Sequence, residues 1–152
     1  MTCVLKFWYD WGKFRILIWV AMSKKFIAYQ GEEFTVEWYF NESGNSSALD
    51  YFLELTENQK NRVFYLIQRL ADTGKISNKE KFTFEGDKIF AFKPAPDRFL
   101  CFFFEGSKVI ITNAYKKQSQ KMPPKEKNRA LTAKSDYIKR YKGGTYYDQE
   151  VD

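Results

Sequence analysis

The sequence contains no histidine. Imidazole acid–base pairs, histidine metal ligands and the usual Ser–His or Cys–His nucleophile arrangements are therefore excluded. Only two cysteines occur, Cys3 and Cys101, too few for a disulfide framework or a structural zinc site. Cys101 lies inside an apolar run and is expected to be a small core residue. No cysteine usage points to an oxidising compartment, so a cytoplasmic protein without metal or cofactor is expected. Long apolar runs are also missing. Ile16–Met22 is a charge-free stretch of seven residues, against the roughly twenty that span a bilayer. Lys6, Lys13 and Arg15 before it and Ala21-Met22-Ser23 after it faintly resemble a signal peptide, but Asp10 and the short apolar part weigh against one. The preferred expectation is an N-terminal extension over residues 1–31, with Met22 as the true translational start; an extra packed strand is a third option. Residues 32–142 are expected to hold one folded domain and 143–152 a flexible tail.

What the chain does have is aromatic mass and polarised charge. Of 152 residues, 15 are Phe and 10 are Tyr, which implies an aromatic-rich core. The formal net charge is +6, but its distribution says more than its sum. Residues 32–60 carry seven acidic side chains and one basic, whereas residues 61–142 carry nineteen basic and eight acidic. Such a molecule suits an anionic partner on its basic side, or else carries a solvated lysine surface. The acidic segment is either a docking surface for a partner protein or a solvated helix face.

Local patterns give the order of elements. FTVEWYF over 34–40 predicts a strand, being β-branched and aromatic without turn-formers. After an Asn/Ser/Gly loop, Ser47-x-x-Asp50 resembles a helix-opening capping box, and Leu49, Phe52 and Leu53 share one helical face that the short helix is expected to bury. Thr56-x-x-Gln59 opens a second helix with an apolar stripe of Val63, Phe64, Ile67, Leu70 and Ala71, and Gly74 stops it. Three strands are predicted at 88–93, 98–105 and 108–115, joined by Pro94-Ala95-Pro96-Asp97 and by Glu105-Gly106-Ser107. Pro123-Pro124 opens a basic helix running to about Lys142, with a narrow apolar stripe of Ala130, Leu131, Tyr137, Ile138 and Tyr141. The expected fold is α+β, β-α-α-β-β-β-α, with a small antiparallel sheet, a helical hairpin and a C-terminal basic helix. If the three later strands pair as a meander, Lys93, Arg98 and Tyr115–Lys117 converge at one edge by geometry alone.

Three segments, Ile89–Lys93, Arg98–Phe103 and the run Tyr115-x-Lys117-x-Ser119-Gln120-Lys121-x-Pro123-x-x-Glu126-x-x-x-Ala130, together resemble the RelE/ParE toxin superfamily of type II toxin–antitoxin systems, in its phage-derived, HigB-like branch. Ile89-Phe90-Ala91-Phe92-Lys93 is similar to the branch's apolar strand ending in a cation, with Ala91 where Glu is frequent. Arg98-Phe99-Leu100-Cys101-Phe102-Phe103 is similar to its arginine and aromatic central strand. Tyr115-x-Lys117-x-Ser119-Gln120-Lys121-x-Pro123-x-x-Glu126-x-x-x-Ala130 is similar to its closing signature, with Gln118 in place of a second lysine. The resemblance covers about residues 34–141. It implies a RelE-like fold and a metal-independent endoribonuclease cutting messenger RNA on the ribosome, paired with a cognate helix-turn-helix antitoxin and without membrane association. Two alternatives share the shape: a ParE-like gyrase inhibitor that cuts nothing, and an inactive antitoxin-binding module.

RNA cleavage through its own 2′-hydroxyl needs alignment, proton removal, charge stabilisation and help for the leaving oxygen. Clustered cations supply the charge component and can depress a lysine into a usable base. On this reading Arg98 grips the phosphate through its guanidinium fork. Lys93 or Lys117 acts as base or electrostatic stabiliser, and Lys121 assists the leaving group. Tyr115 stacks on a base, takes part in proton transfer or simply caps the core; Gln120 reads a base edge or steadies its loop. Lys116, Lys125 and Arg129 are expected to contact RNA, the last two by sequence-blind attraction.

Overall fold

A computed structural model describes residues 26–147. The proposed start at Met22, the signal-like run, Cys3 and the last five residues lie outside the described residues. Among the described residues six strands form one sheet: β1 (Ile27–Gln30), β2 (Thr35–Trp38), β3 (Phe82–Phe84), β4 (Phe90–Phe92), β5 (Asp97–Phe104) and β6 (Lys108–Lys116). Three helices accompany them: α1 (Ser47–Leu53), α2 (Glu57–Thr73) and α3 (Pro124–Lys142). The strand order is β1-β2-β6-β5-β4-β3, with β2 parallel to β6 and the other neighbours antiparallel.

The fold is α+β as expected, but the element order and the sheet are corrected in two respects. Two short strands, β1 and β3, join the four expected ones, so the sheet is mixed rather than purely antiparallel. Its parallel pair follows from connectivity. The helical hairpin and the β3–β5 strands separate β2 from β6 in sequence, and a crossover of that length allows parallel pairing that a tight hairpin forbids. β1 also brings Phe26, only 2% exposed, into a core assigned by sequence to residues 32 onward.

Side-chain alternation along β5 divides the molecule into layers. Phe99 meets Tyr51 of α1 at 5.7 Å between ring centroids, which places α1 and α2 on one face. Phe102 and Phe104 meet Tyr137 of α3 at 5.6 and 5.0 Å, which places α3 on the other. Both faces of β5 are therefore covered, which is why its sequence runs apolar without alternating.

The helix ends show the local physics. Thr56 and Gln59 make the expected reciprocal capping box, and Gly74 closes α2 at φ 84°, a left-handed conformation that glycine adopts without a Cβ clash. The cap of α1 is Ser46 rather than Ser47. A cap residue must remain extended so that its oxygen reaches back to the first turn. Ser46 does so at φ −125°, and its hydroxyl accepts from Leu49 N at 3.3 Å, while Ser47 is already helical. Leu53, expected in the core, is 57% exposed. Gly31 lies so close to Ala71 that an added Cβ would sit 2.4 Å from its carbonyl carbon, which fixes the β1–β2 turn against the end of α2.

The tail expected after Gly143 is packed at least through Tyr147. Tyr146 is 1% exposed, and its hydroxyl accepts from Phe40 N at 3.0 Å. Tyr147 donates to the buried Glu37 carboxylate at 2.7 Å, and Lys108 pairs with the same carboxylate at 3.6 Å. Burial nevertheless raises the Glu37 pKa, with the tyrosine and lysine opposing it. A second buried polar cluster joins α3 to the end of β2. Arg140, 8% exposed, pairs with Asp136, donates to the Phe40 carbonyl at 2.6 Å, and stacks 4.7 Å from the Tyr146 ring.

Candidate functional site

The meander places the strand ends together as geometry demanded. Phe92 pairs with Phe99, so Lys93 leaves β4 where Arg98 enters β5. Arg98 pairs directly with Tyr115, and Asp97 with Lys116. One residue further on, Lys117 N donates to the Pro96 carbonyl at 2.9 Å. Arg98 and Tyr115, as register partners, project from the same face, the one covered by α3. Lys117 is the first residue after β6 ends, two positions beyond Tyr115.

Arg98 is half-buried, and its guanidinium donates to its own strand's Asp97 carbonyl at 3.0 Å, which among the described residues leaves most of its fork available. Beneath it, on the opposite face, buried Asp97 accepts a 2.5 Å hydrogen bond from Tyr51, which ties the start of β5 to α1. Tyr115 is also half-buried. Burial raises its phenol pKa, Arg98 opposes that shift, and Glu85 and Glu126 add to it. The hydroxyl therefore stays protonated at neutral pH and is available as a donor.

Not every expected residue joins this pair. Lys93 follows the right strand, but its ammonium turns outward and donates to the Lys79 carbonyl at 3.3 Å, in the segment leading to edge strand β3. Gln120 and Lys121 are exposed in the loop before α3, where Ser119 Oγ donates to the Lys121 carbonyl at 3.0 Å. Lys116 is exposed and, as the partner of Asp97, projects from the face opposite Arg98. Lys125 and Arg129 are exposed on the first turns of α3.

Sequence reasoning missed the polar scaffold under this edge. Glu126 is 6% exposed; Asn113 Nδ2 donates to both its Oε1 and its backbone carbonyl at 3.1 Å, and Arg129 pairs with it at 3.6 Å. Asn113 Oδ1 in turn accepts from Thr112 at 2.6 Å, where the β5–β6 register shifts beside Leu100. The signal was present: Thr112-Asn113 interrupts an otherwise apolar strand, and a polar pair there needs buried partners. Glu85, whose charge reaches Tyr115, sits where the β3–β4 turn begins. Gly86, Asp87 and Lys88 then run through three successive positive-φ positions, and Asp87 pairs with Lys127 of α3 at 2.8 Å. Lys134 is half-buried beside that turn, and burial lowers its pKa, with Lys88 adding to the effect.

Residues 50–135 match the family described as phage-derived Gp49-like protein (DUF891). The chain belongs to that family. No curated protein matches it. The matched segment runs from α1 into α3, so the meander, Arg98, Tyr115 and Glu126 lie inside the Gp49-like domain, while β1 and β2 lie before it. Among the described residues no helix is long and apolar enough to cross a membrane, and no cluster of three or more Cys, Asp or Glu side chains is placed to hold a metal ion.

Proposed function

We propose that this Gp49-like chain is the toxin of a type II toxin–antitoxin pair and cleaves messenger RNA on the ribosome by metal-independent attack of the 2′-hydroxyl. The observation that carries the reading is the pairing of Arg98 with Tyr115 at an open strand end, followed by Lys117. In the reaction the 2′-oxygen attacks phosphorus, the P–O5′ bond breaks, and the products end in a 2′,3′-cyclic phosphate and a 5′-hydroxyl. Arg98 holds the phosphate and stabilises charge on the phosphorane. Lys117 adds positive charge and, when neutral, accepts the 2′ proton; the protonated Tyr115 phenol or Lys121 supplies a proton to the departing 5′-oxygen. Lys125 and Arg129 attract the RNA backbone. Lys93 contributes charge from the rim, because its ammonium is committed to a carbonyl. The partner that silences the toxin is a cognate helix-turn-helix antitoxin.

Induced expression tests the reading. The wild-type chain should arrest growth with new transcript ends inside coding sequences, and the Arg98→Ala, Lys117→Ala double variant should do neither while accumulating to the same level. Arrest with DNA damage and intact messages would overturn the reading in favour of gyrase inhibition.

A further inference from the structure

We propose that a groove beside α2 holds a nucleotide of single-stranded RNA flanking the cleavage point, an inference that rests on the ribonuclease reading. The groove has a volume of about 320 Å³ and is lined by Asn61, Arg62, Tyr65, Leu66, Lys81 and Pro94. That volume is on the scale of small-ligand sites, which run from roughly 300 to 1,000 Å³. Among the described residues its charged lining is entirely basic. Tyr65 is 58% exposed although its neighbour Leu66 is in the core, so a large aromatic face stands in water at the groove. Arg69 donates to the Tyr65 hydroxyl at 3.4 Å and steadies the ring from the next turn.

An aromatic face, two cations and an amide together suit a nucleotide. The ring stacks on a base, Arg62 and Lys81 meet the adjoining phosphates, and Asn61 can hydrogen-bond a base edge. The position supports the same occupant. Pro94 directly follows Lys93, and Lys93 N donates to the Lys81 carbonyl at 2.8 Å, so the groove and the cationic edge share one piece of backbone. RNA leaving Arg98 would cross the open end of the meander over Pro96 and Ala95, both exposed, to reach the groove. The acidic residue of that turn, Asp97, is buried and accepts from Tyr51, so a strand crossing there does not touch its carboxylate.

Fluorescence anisotropy with a labelled single-stranded RNA, 2′-O-methylated so that it cannot be cut, tests the groove. Tyr65→Ala should weaken binding about tenfold, the scale of losing one base stack. Arg62→Glu with Lys81→Glu should weaken it further at low salt and flatten its salt dependence. All three side chains are exposed, and unchanged circular dichroism and melting would show that the fold is intact. Groove variants that bind like the wild type, or a wild-type protein that does not bind the RNA, would overturn the proposal. So would loss of binding to an acidic, leucine-bearing peptide while RNA binding is unaffected, which would assign the groove to a protein partner. Transcript cleavage in cells, scored separately, reports on the ribonuclease reading, so the two failures are distinguishable.

Discussion

Arg98→Ala should lower the rate of RNA cleavage by roughly 10²–10³-fold, the cost of removing one preorganised donor from a developing oxyanion. The loss should appear in the single-turnover rate on programmed ribosomes rather than in ribosome affinity, because Lys125 and Arg129 retain the long-range attraction. Arg98→Lys should recover little. An ammonium keeps the charge but cannot present two parallel N–H groups to two phosphate oxygens. Stability should change little, since among the described residues the Arg98 guanidinium is held within the fold only by the carbonyl of the preceding residue. A variant that lost activity only by unfolding would show a lowered melting temperature, and that result would remove Arg98 from the proposed chemistry.

Asp136→Ala should destabilise the fold by about 3 kcal/mol, the lower end of the range for stripping one partner from a buried ion pair, because Arg140 is buried but Asp136 is partly exposed. Arg140 has no easy compensation. Among the described residues one guanidinium nitrogen, Nη1, already has no hydrogen-bond partner, and the Phe40 carbonyl cannot neutralise the charge. Tyr39 also loses an acceptor; its phenol is pushed up to about 12, mainly by burial and then by the hydrogen bond to Asp136. Urea denaturation checks the value, and its pH dependence checks the cause. Burial works to raise the Asp136 pKa, but the hydrogen bonds from Arg140 and Tyr39 win and lower it. The folded state thus binds the proton less tightly than the unfolded chain, so this stabilisation is present above the unfolded pKa and is lost as the pH falls through the folded one. The variant should lack that part of the acid limb. A loss below 1 kcal/mol with an unchanged acid limb would mean that the pair is incidental.

The parts of the fold legible in the sequence were those set by neighbouring residues. The capping box at Thr56, the glycine stop at Gly74 and the proline opening of α3 each need only a few adjacent side chains, and each stands where the sequence placed it. The β4–β5–β6 meander followed from short connectors, so the joining of Arg98 with Tyr115 could be foreseen. What escaped were properties set from a distance. β3 is three residues long, and its Phe-Thr-Phe is too short to show a period. β1 depends on pairing with β2, and the parallel pairing of β2 with β6 joins segments about seventy residues apart. The direction of Lys93 is decided by a carbonyl fourteen residues earlier. Tyr146 and Tyr147 carry a composition typical of a tail, yet a buried carboxylate and an aromatic cluster from β2 and α3 hold them. The acidic stretch over 32–60 splits likewise: Glu37 is buried and bonded, while its other six acidic side chains face solvent.

The most direct measurement is the chemistry of the cut ends, mapped on messenger RNA cleaved by the purified chain on ribosomes. Cleavage without a metal-activated water predicts 2′,3′-cyclic phosphate on the upstream fragment, a 5′-hydroxyl on the downstream fragment, and no product from RNA methylated at the attacking 2′-oxygen. A 3′-hydroxyl opposite a 5′-phosphate, or cutting that survives 2′-methylation, would contradict it.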